Sequence, residues 1–335
     1  MTALGVVTST TVGAMLRLPD ASASCNCNRA HCVTNHPHAA AQAHSPIGAR
    51  RRLGAELRRL RTEAGMTLDD VAERMTCSTS KISRLETGKG VPKVPDVSEL
   101  MRIYGLDSDT ERALLLRLVR DGREHGWWES YTEGVQSERY ILDVPGRYPS
   151  LENDAREVHS FDLTVVHGLL QTVDYSRAVI QPVLPHHTAE EIDRLVELRQ
   201  RRQDAFHRAE GTSLEMNALI DEVVLRRPVG GPAVMAAQLD RLLATTRLPN
   251  VTIRILPVEV GILRAHAGHF VVLDIPRELG SDVVYIEGHA GDFYLDTPSD
   301  LRLYRDVFAD ALAHSLSPQE SVKLITRYRA RHTAL

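Results

Sequence analysis

The chain has 335 residues, 43% hydrophobic and 25% charged, an ordinary globular composition long enough for about two domains. It contains no apolar run near the ~18 residues of a membrane-spanning helix, and its four cysteines, three of them packed as Cys25, Cys27 and Cys32, are too few to staple two domains, so a cytoplasmic chain that does not engage a membrane is expected. The formal net charge of −4 is unevenly spread: residues 45–104 hold 12 Lys or Arg against 8 Asp or Glu, whereas residues 105–335 hold 26 against 35, which places a basic module, suited to phosphates, ahead of an acidic one.

Residues 1–46 are rich in Ala, Ser, Thr, Asn and His and show neither a helical nor a strand period. Such a segment buries too little apolar surface to offset its ordering entropy, so a disordered tail is predicted. The order of a secretory signal, a basic start followed by an apolar middle and a small-residue cleavage site, is missing, and export is not expected. Cys25-x-Cys27-x3-His31-Cys32, followed by His36, His38 and His44, supplies zinc-type ligands. The spacing fits no zinc-finger pattern, and an unstructured tail is preferred over a metal site.

Residues 47–124 predict an all-α domain of five helices. Leu53, Leu57 and Leu60 recur at helical steps before Gly65, which reads as a stop. Thr67 is the N-cap of a second helix through Val71, Ala72 and Met75, with Asp69 and Asp70 in its first turn. A short turn, Thr76-Cys77-Ser78, leads into a third helix, Thr79–Glu86, whose inward face is Ile82 and Leu85 and whose stop is Gly88. Pro92 and Pro95 mark an irregular connection to a fourth helix, Val97–Tyr104, and a fifth follows over Asp109–Arg123.

Two short helices joined by such a turn make the geometry that enters a DNA major groove. With Ala72 small at the helix crossing and Ile82 and Leu85 as anchors, Thr79, Ser80, Lys81, Ser83 and Arg84 project or flank. These side chains offer hydrogen-bonding groups without carboxylates, suited to phosphate oxygens and base edges. Arg84 is assigned to guanine O6 and N7, Lys81 to a phosphate, and the flanking Arg58, Arg61 and Lys89 to further phosphates. The competing reading is a helical bundle with merely solvated polar faces.

The run Leu57-Arg58-Arg59-Leu60-Arg61-x2-Ala64-Gly65-Met66-Thr67-Leu68-x2-Val71-Ala72-x6-Thr79-x-Lys81-Ile82-Ser83-Arg84-Leu85-Glu86-x-Gly88 closely resembles the xenobiotic-response-element (XRE) type of helix-turn-helix regulator, akin to phage Cro and repressor. The resemblance implies a structural role for Glu86, which is not counted among the DNA contacts. Thr76 stands where the family usually has Gly; a left-handed backbone there costs a non-glycine residue ~1 kcal/mol.

Residues 125–335 predict an α+β domain with a mostly antiparallel sheet. Strand candidates are Phe161–Val166, Ser213–Ile220, Val251–Leu256, Phe270–Asp274 and Val283–Glu287; helical patterns cover Ala189–Arg208, Val234–Thr245, Asp300–Ser315 and Pro318–Arg329. Gly168–Thr172 reads as a strand-to-helix turn capped by Thr172, preferred over a ligand pocket. The Arg226–Pro232 loop reads as a helix-entry turn rather than an anion site. His266, His269 and His289 lack metal-site spacing, and no metal is assigned to them.

The strings Val166-His167-Gly168-Leu169-Leu170-Gln171-Thr172, Glu197-Leu198-Arg199-x2-Arg202-Gln203, Asp221-Glu222-x2-Leu225-Arg226-Arg227-Pro228-Val229-Gly230-Gly231-Pro232 and Val284-Tyr285-Ile286-Glu287 resemble the uncharacterised C-terminal domain of actinobacterial helix-turn-helix regulators. His167 stands where that family usually has Pro. The resemblance implies an antitoxin-like role beside a small partner protein encoded by a neighbouring gene.

No catalytic residue or cofactor is expected. Ser78-Thr79-Ser80-Lys81 matches the Ser-x-x-Lys string of penicillin-recognising enzymes, but the partner strings are missing, and no nucleophile elbow, zinc-protease motif, Walker loop or dinucleotide fingerprint occurs. The reading is a multi-domain regulator that binds double-stranded DNA as a homodimer on an inverted repeat, its C-terminal domain serving dimerisation, partner or ligand binding. The alternative is a protein-interaction adaptor that sequesters a small partner with little DNA binding.

Overall fold

The computed structural model describes residues 45–133, 146–209, 211–277, 279–288 and 291–334. The Cys25, Cys27 and Cys32 run, nearly all of the tail read as residues 1–46, and His289 lie outside the described residues.

The N-terminal part is helical. In α1 (Pro46–Glu63) the Ser45 side chain accepts from the Gly48 amide and Pro46 occupies the first turn, where its missing N–H is no loss. Gly65 follows the helix at φ +68. In α2 (Leu68–Arg74) Thr67 and Asp70 cap one another's backbone reciprocally. Ser78 caps α3 (Thr79–Glu86) through the Lys81 amide. The fourth helix, α4 (Val94–Ile103), starts three residues earlier than its periodicity suggests, because Pro95 is part of its first turn rather than of the connection. With α5 (Asp109–Asp121) these helices bury one cluster that includes Leu53, Leu57, Val71, Ile82, Leu100 and Leu118.

The C-terminal part is α+β. In chain order it contains α6 (Glu129–Thr132), α7 (Arg147–Asp154), β1 (Glu157–Asp162), α8 (Val173–Val183), α9 (Ala189–Arg202), β2 (Glu215–Asp221), α10 (Glu222–Arg226), α11 (Pro232–Thr245), β3 (Val251–Leu256), β4 (Phe270–Asp274), β5 (Val283–Ile286), β6 (Phe293–Leu295), α12 (Pro298–Ala313) and α13 (Pro318–Thr333). The sheet order is β3-β2-β1-β4-β5-β6. It is mixed rather than mostly antiparallel: β1, β2 and β3 run parallel, linked by helical crossovers, while β4, β5 and β6 add antiparallel pairings.

Both faces of the sheet are covered. Val158, Ala218, Ile253 and Leu273 share a core with Leu239 of α11 and Ile325 of α13, whereas Phe161, Leu219, Val272 and Val284 share another with Phe308 of α12. This two-sided burial explains why several strands read as unbroken apolar runs. The first strand differs from expectation: it begins at Glu157 and ends at Asp162, and Leu163–Val166 leaves the sheet. Helices α6, α7 and α10 and strand β6 were not anticipated, being short.

Helix α7 anchors α1. The Ser45 amide donates to Asp154 Oδ1 at 3.2 Å, and the Ser45 and Ser150 hydroxyls are hydrogen-bonded. Gly48 lies so close that a Cβ there would come 2.3 Å from Asp154 Oδ2. One turn further on, Arg51 pairs with Asp296 at 3.6 Å. Among the described residues, no helix is long and apolar enough to cross a membrane.

Candidate nucleic-acid interface

Helix α3 is held by its apolar face. Ile82 is fully buried and Leu85 nearly so, while the chain enters from α2 through Thr76, at φ 50 the one non-glycine residue with positive φ among the described residues. The Cys77 amide donates to the Ala72 carbonyl at 2.9 Å, fixing that turn. On the other side α1 crosses the end of α3 at Gly54, where a Cβ would lie 2.5 Å from the Glu86 carbonyl oxygen and 2.6 Å from that of Leu85. The clue to this crossing was in the sequence, since a glycine inside a helical pattern is costly unless something approaches it closely.

With the helix so held, Ser80, Lys81 and Arg84 are exposed, and Thr79 and Ser83 are half-buried. Among the described residues Arg84 makes no side-chain hydrogen bond or ion pair, and the same is true of the exposed Arg58 and Lys89. Neighbouring helices bring acids that a reading of α3 alone does not include. Thr79 Oγ1 donates to Asp69 Oδ1 of α2 at 2.9 Å, and Lys81 Nζ is 2.9 Å from Asp96 Oδ1 of α4.

Arg61, expected at a phosphate, is instead engaged within the protein. Its Nε and Nη2 donate to Glu86 Oε1 and Oε2 at 2.7 and 3.0 Å, and Nη1 donates to the Met66 carbonyl at 2.8 Å. A guanidinium committed to a bidentate pair has no donor fork left for a duplex. Glu86 is the structural partner in this arrangement, clamping α1 to the end of α3.

A second concave feature lies in the C-terminal part: a cavity of about 830 Å³ on the α8 and α9 side of the sheet. The turn at Gly168–Thr172 borders it, with Thr172 capping α8 as expected. Burial pushes His167 down to about 4, so the ring is neutral at pH 7. Its Nδ1 accepts from the Leu169 amide at 3.3 Å. That leaves Nε2 as the protonated nitrogen, 3.0 Å from Tyr148 Oη. Tyr148 is hydrogen-bonded in turn to Glu152, which takes both prongs of Arg202 at 2.7 and 2.6 Å. Burial raises Asp162 to about 7 although Ser160 Oγ and the His167 amide both donate to it.

The histidines weighed for a metal do not share a ligand set among the described residues: His266 Nε2 faces Asp221 at 3.1 Å and His269 faces Glu287 at 3.8 Å. Glu157, His159 and Asp274 do converge. Their carboxylates are already engaged, since Asn217 donates to Glu157 at 2.7 Å and Arg305 to Asp274 at 2.6 Å.

Residues 146–327, more than half of the chain, match the domain of unknown function DUF5753, and residues 52–115 match a helix-turn-helix domain. The chain belongs to the DUF5753 family. No curated protein and no solved structure matches it. In this DUF5753 protein most of α1, all of α2–α4 and about half of α5 fall within the helix-turn-helix match, which marks a DNA-binding regulator, and the cavity falls largely within the domain of unknown function.

Proposed function

We propose that this DUF5753 protein is a cytoplasmic, non-enzymatic, sequence-specific transcriptional regulator of the XRE type that places α3 in the major groove. The observation that supports it is the two-sidedness of α3: Ile82 and Leu85 are buried while Ser80, Lys81 and Arg84 face outward. Arg84 reads a guanine, Ser80 and Ser83 reach base edges or phosphates, and Lys81, Arg58 and Lys89 neutralise phosphates. Thr79 contributes once its hydroxyl is shared between Asp69 and the duplex.

A homodimer presents two such helices to half-sites ~34 Å apart, one turn of DNA. The C-terminal domain supplies the dimer contact or holds a small partner protein encoded by a neighbouring gene, an antitoxin-like arrangement.

Selection of bound sequences from random DNA tests this reading. An enriched inverted repeat, bound less tightly as salt rises and less selectively by Arg84→Ala, is the expected result. Absence of any salt-dependent binding would overturn it in favour of the adaptor that sequesters its partner.

A further inference from the structure

The cavity of about 830 Å³ falls within the range of small-molecule sites. Much of its wall is apolar, with Leu163, Val166, Val179, Val183, Leu195 and Leu198 contributing aliphatic side chains. The stretch Leu163–Val166, apolar enough to read as strand, leaves the sheet to line this space.

Two arginines one helical turn apart on α9 border the cavity, and the protein treats them differently. Arg202 is neutralised in place by the two prongs of Glu152. Among the described residues Arg199 forms no ion pair, although Glu287 and Glu152 attract it from a distance; its Nη1 donates to the neutral Gln171 Oε1 at 2.9 Å. Gln171 is itself oriented by donating Nε2 to the Val166 carbonyl at 2.6 Å. Desolvation lowers the Arg199 guanidinium to about 10, and it remains a cation at neutral pH. The other acids on the wall are engaged: Asp162 accepts from Ser160 and the His167 amide, Glu287 faces His269 at 3.8 Å, and Asp292 is not free either. A desolvated cation without a counter-ion on an apolar wall is costly unless a ligand supplies the charge.

We propose that this cavity binds a small amphipathic acid, its apolar body against the aliphatic wall and its carboxylate or sulfonate on Arg199. The site is independent of the DNA-facing helix, and its test does not depend on DNA binding.

The full chain is titrated with two fluorescent probes that differ in one group, 8-anilinonaphthalene-1-sulfonate and the uncharged N-phenyl-1-naphthylamine, and decanoate is then added as competitor. The sulfonate probe is expected to bind more tightly than the neutral one and to be displaced by decanoate. Arg199→Gln is expected to weaken the sulfonate probe about tenfold or more, as loss of a charge-assisted contact does, while leaving the neutral probe within about twofold. Ala178→Trp, which fills the cavity from α8, is expected to abolish both. Circular dichroism melts verify that each variant is folded. Binding of neither probe by the wild type, equal binding of both, or sulfonate binding unaltered in folded Arg199→Gln or Ala178→Trp would overturn the proposal.

Discussion

Arg61 of α1 and Glu86 at the end of α3 form a two-pronged ion pair that is almost enclosed, the side chains being 14% and 5% exposed. The pair sets the position of α3 against the helix that crosses it. Removing one partner strands the other charge in a poorly solvated place. Arg61→Ala is therefore expected to cost about 3 kcal/mol, and the double variant Arg61→Met with Glu86→Leu clearly less. Hydrogen exchange of the α1 and α3 amides measures this; a cost below about 1 kcal/mol for Arg61→Ala would mean that the pair behaves as a solvated surface contact.

The cations proposed to meet DNA divide into those with a competing acid and those without. Lys81 is 43% exposed and pairs with Asp96, a contact worth at most about 1 kcal/mol at such exposure. Asp96→Asn should thus raise DNA affinity, by up to about fivefold, in fluorescence anisotropy at moderate salt. Arg58→Ala and Lys89→Ala should each lower the salt slope by about one without altering sequence preference. Arg84→Ala should instead reduce discrimination at one base pair by about 1–3 kcal/mol. An unchanged sequence preference in Arg84→Ala would remove it as a base reader.

Backbone geometry around α3 makes two opposite stability predictions. Gly54→Ala places a methyl 2.5–2.6 Å from the Glu86 and Leu85 carbonyl oxygens, so α1 must shift, at about 1–3 kcal/mol. Thr76→Gly relieves a left-handed β-branched residue and should stabilise by up to about 1 kcal/mol, the gain being partly offset by the entropy of glycine in the unfolded chain. Thermal melts of the two variants should move in opposite directions; a neutral Gly54→Ala would contradict the close crossing.

Asp154, where α7 meets Ser45, makes one contribution to the pH dependence, beside Asp162, which burial also raises, and His167, which burial lowers. Burial raises its carboxyl to about 6, against about 3.9 in an unfolded chain, even though the Ser45 amide donates to it. A carboxyl raised by folding binds its proton more readily in the native state. The contribution of this group to stability is therefore expected to rise as pH falls from 7 through about 6 toward 4, by up to about 3 kcal/mol, and to be lower where the group is ionised. Asp154→Asn should remove this contribution and leave those of Asp162 and His167. Urea midpoints at pH 5 and pH 7 compare the two proteins, and equal pH dependence would assign the effect to another group.

The helix-turn-helix was legible because each of its signals is local. Leucine spacing, the Thr67 cap, the Ile82 and Leu85 anchors and Gly88 each act within a few residues, and the structure has them all in those roles. Two boundaries moved because the decisive neighbour was nonlocal or ambiguous. Pro95 reads equally as a loop or as a first-turn proline, and Leu163–Val166 has strand character but lies against the cavity rather than a sheet partner.

Identity, spacing and the sign of local charge were enough to specify which helix has an anchored face and which side chains it presents. The chain alone could not show which of those cations are free to meet an anion. Asp96 lies 15 residues from Lys81 and Glu86 lies 25 from Arg61, and only packing of the helices brings the partners together. The same holds for Arg199 and Arg202, which look alike in sequence until α7 places Glu152 on one of them. Charge compensation depends on distances of a few ångströms between segments far apart in the chain, and those distances exist only once the cores have formed.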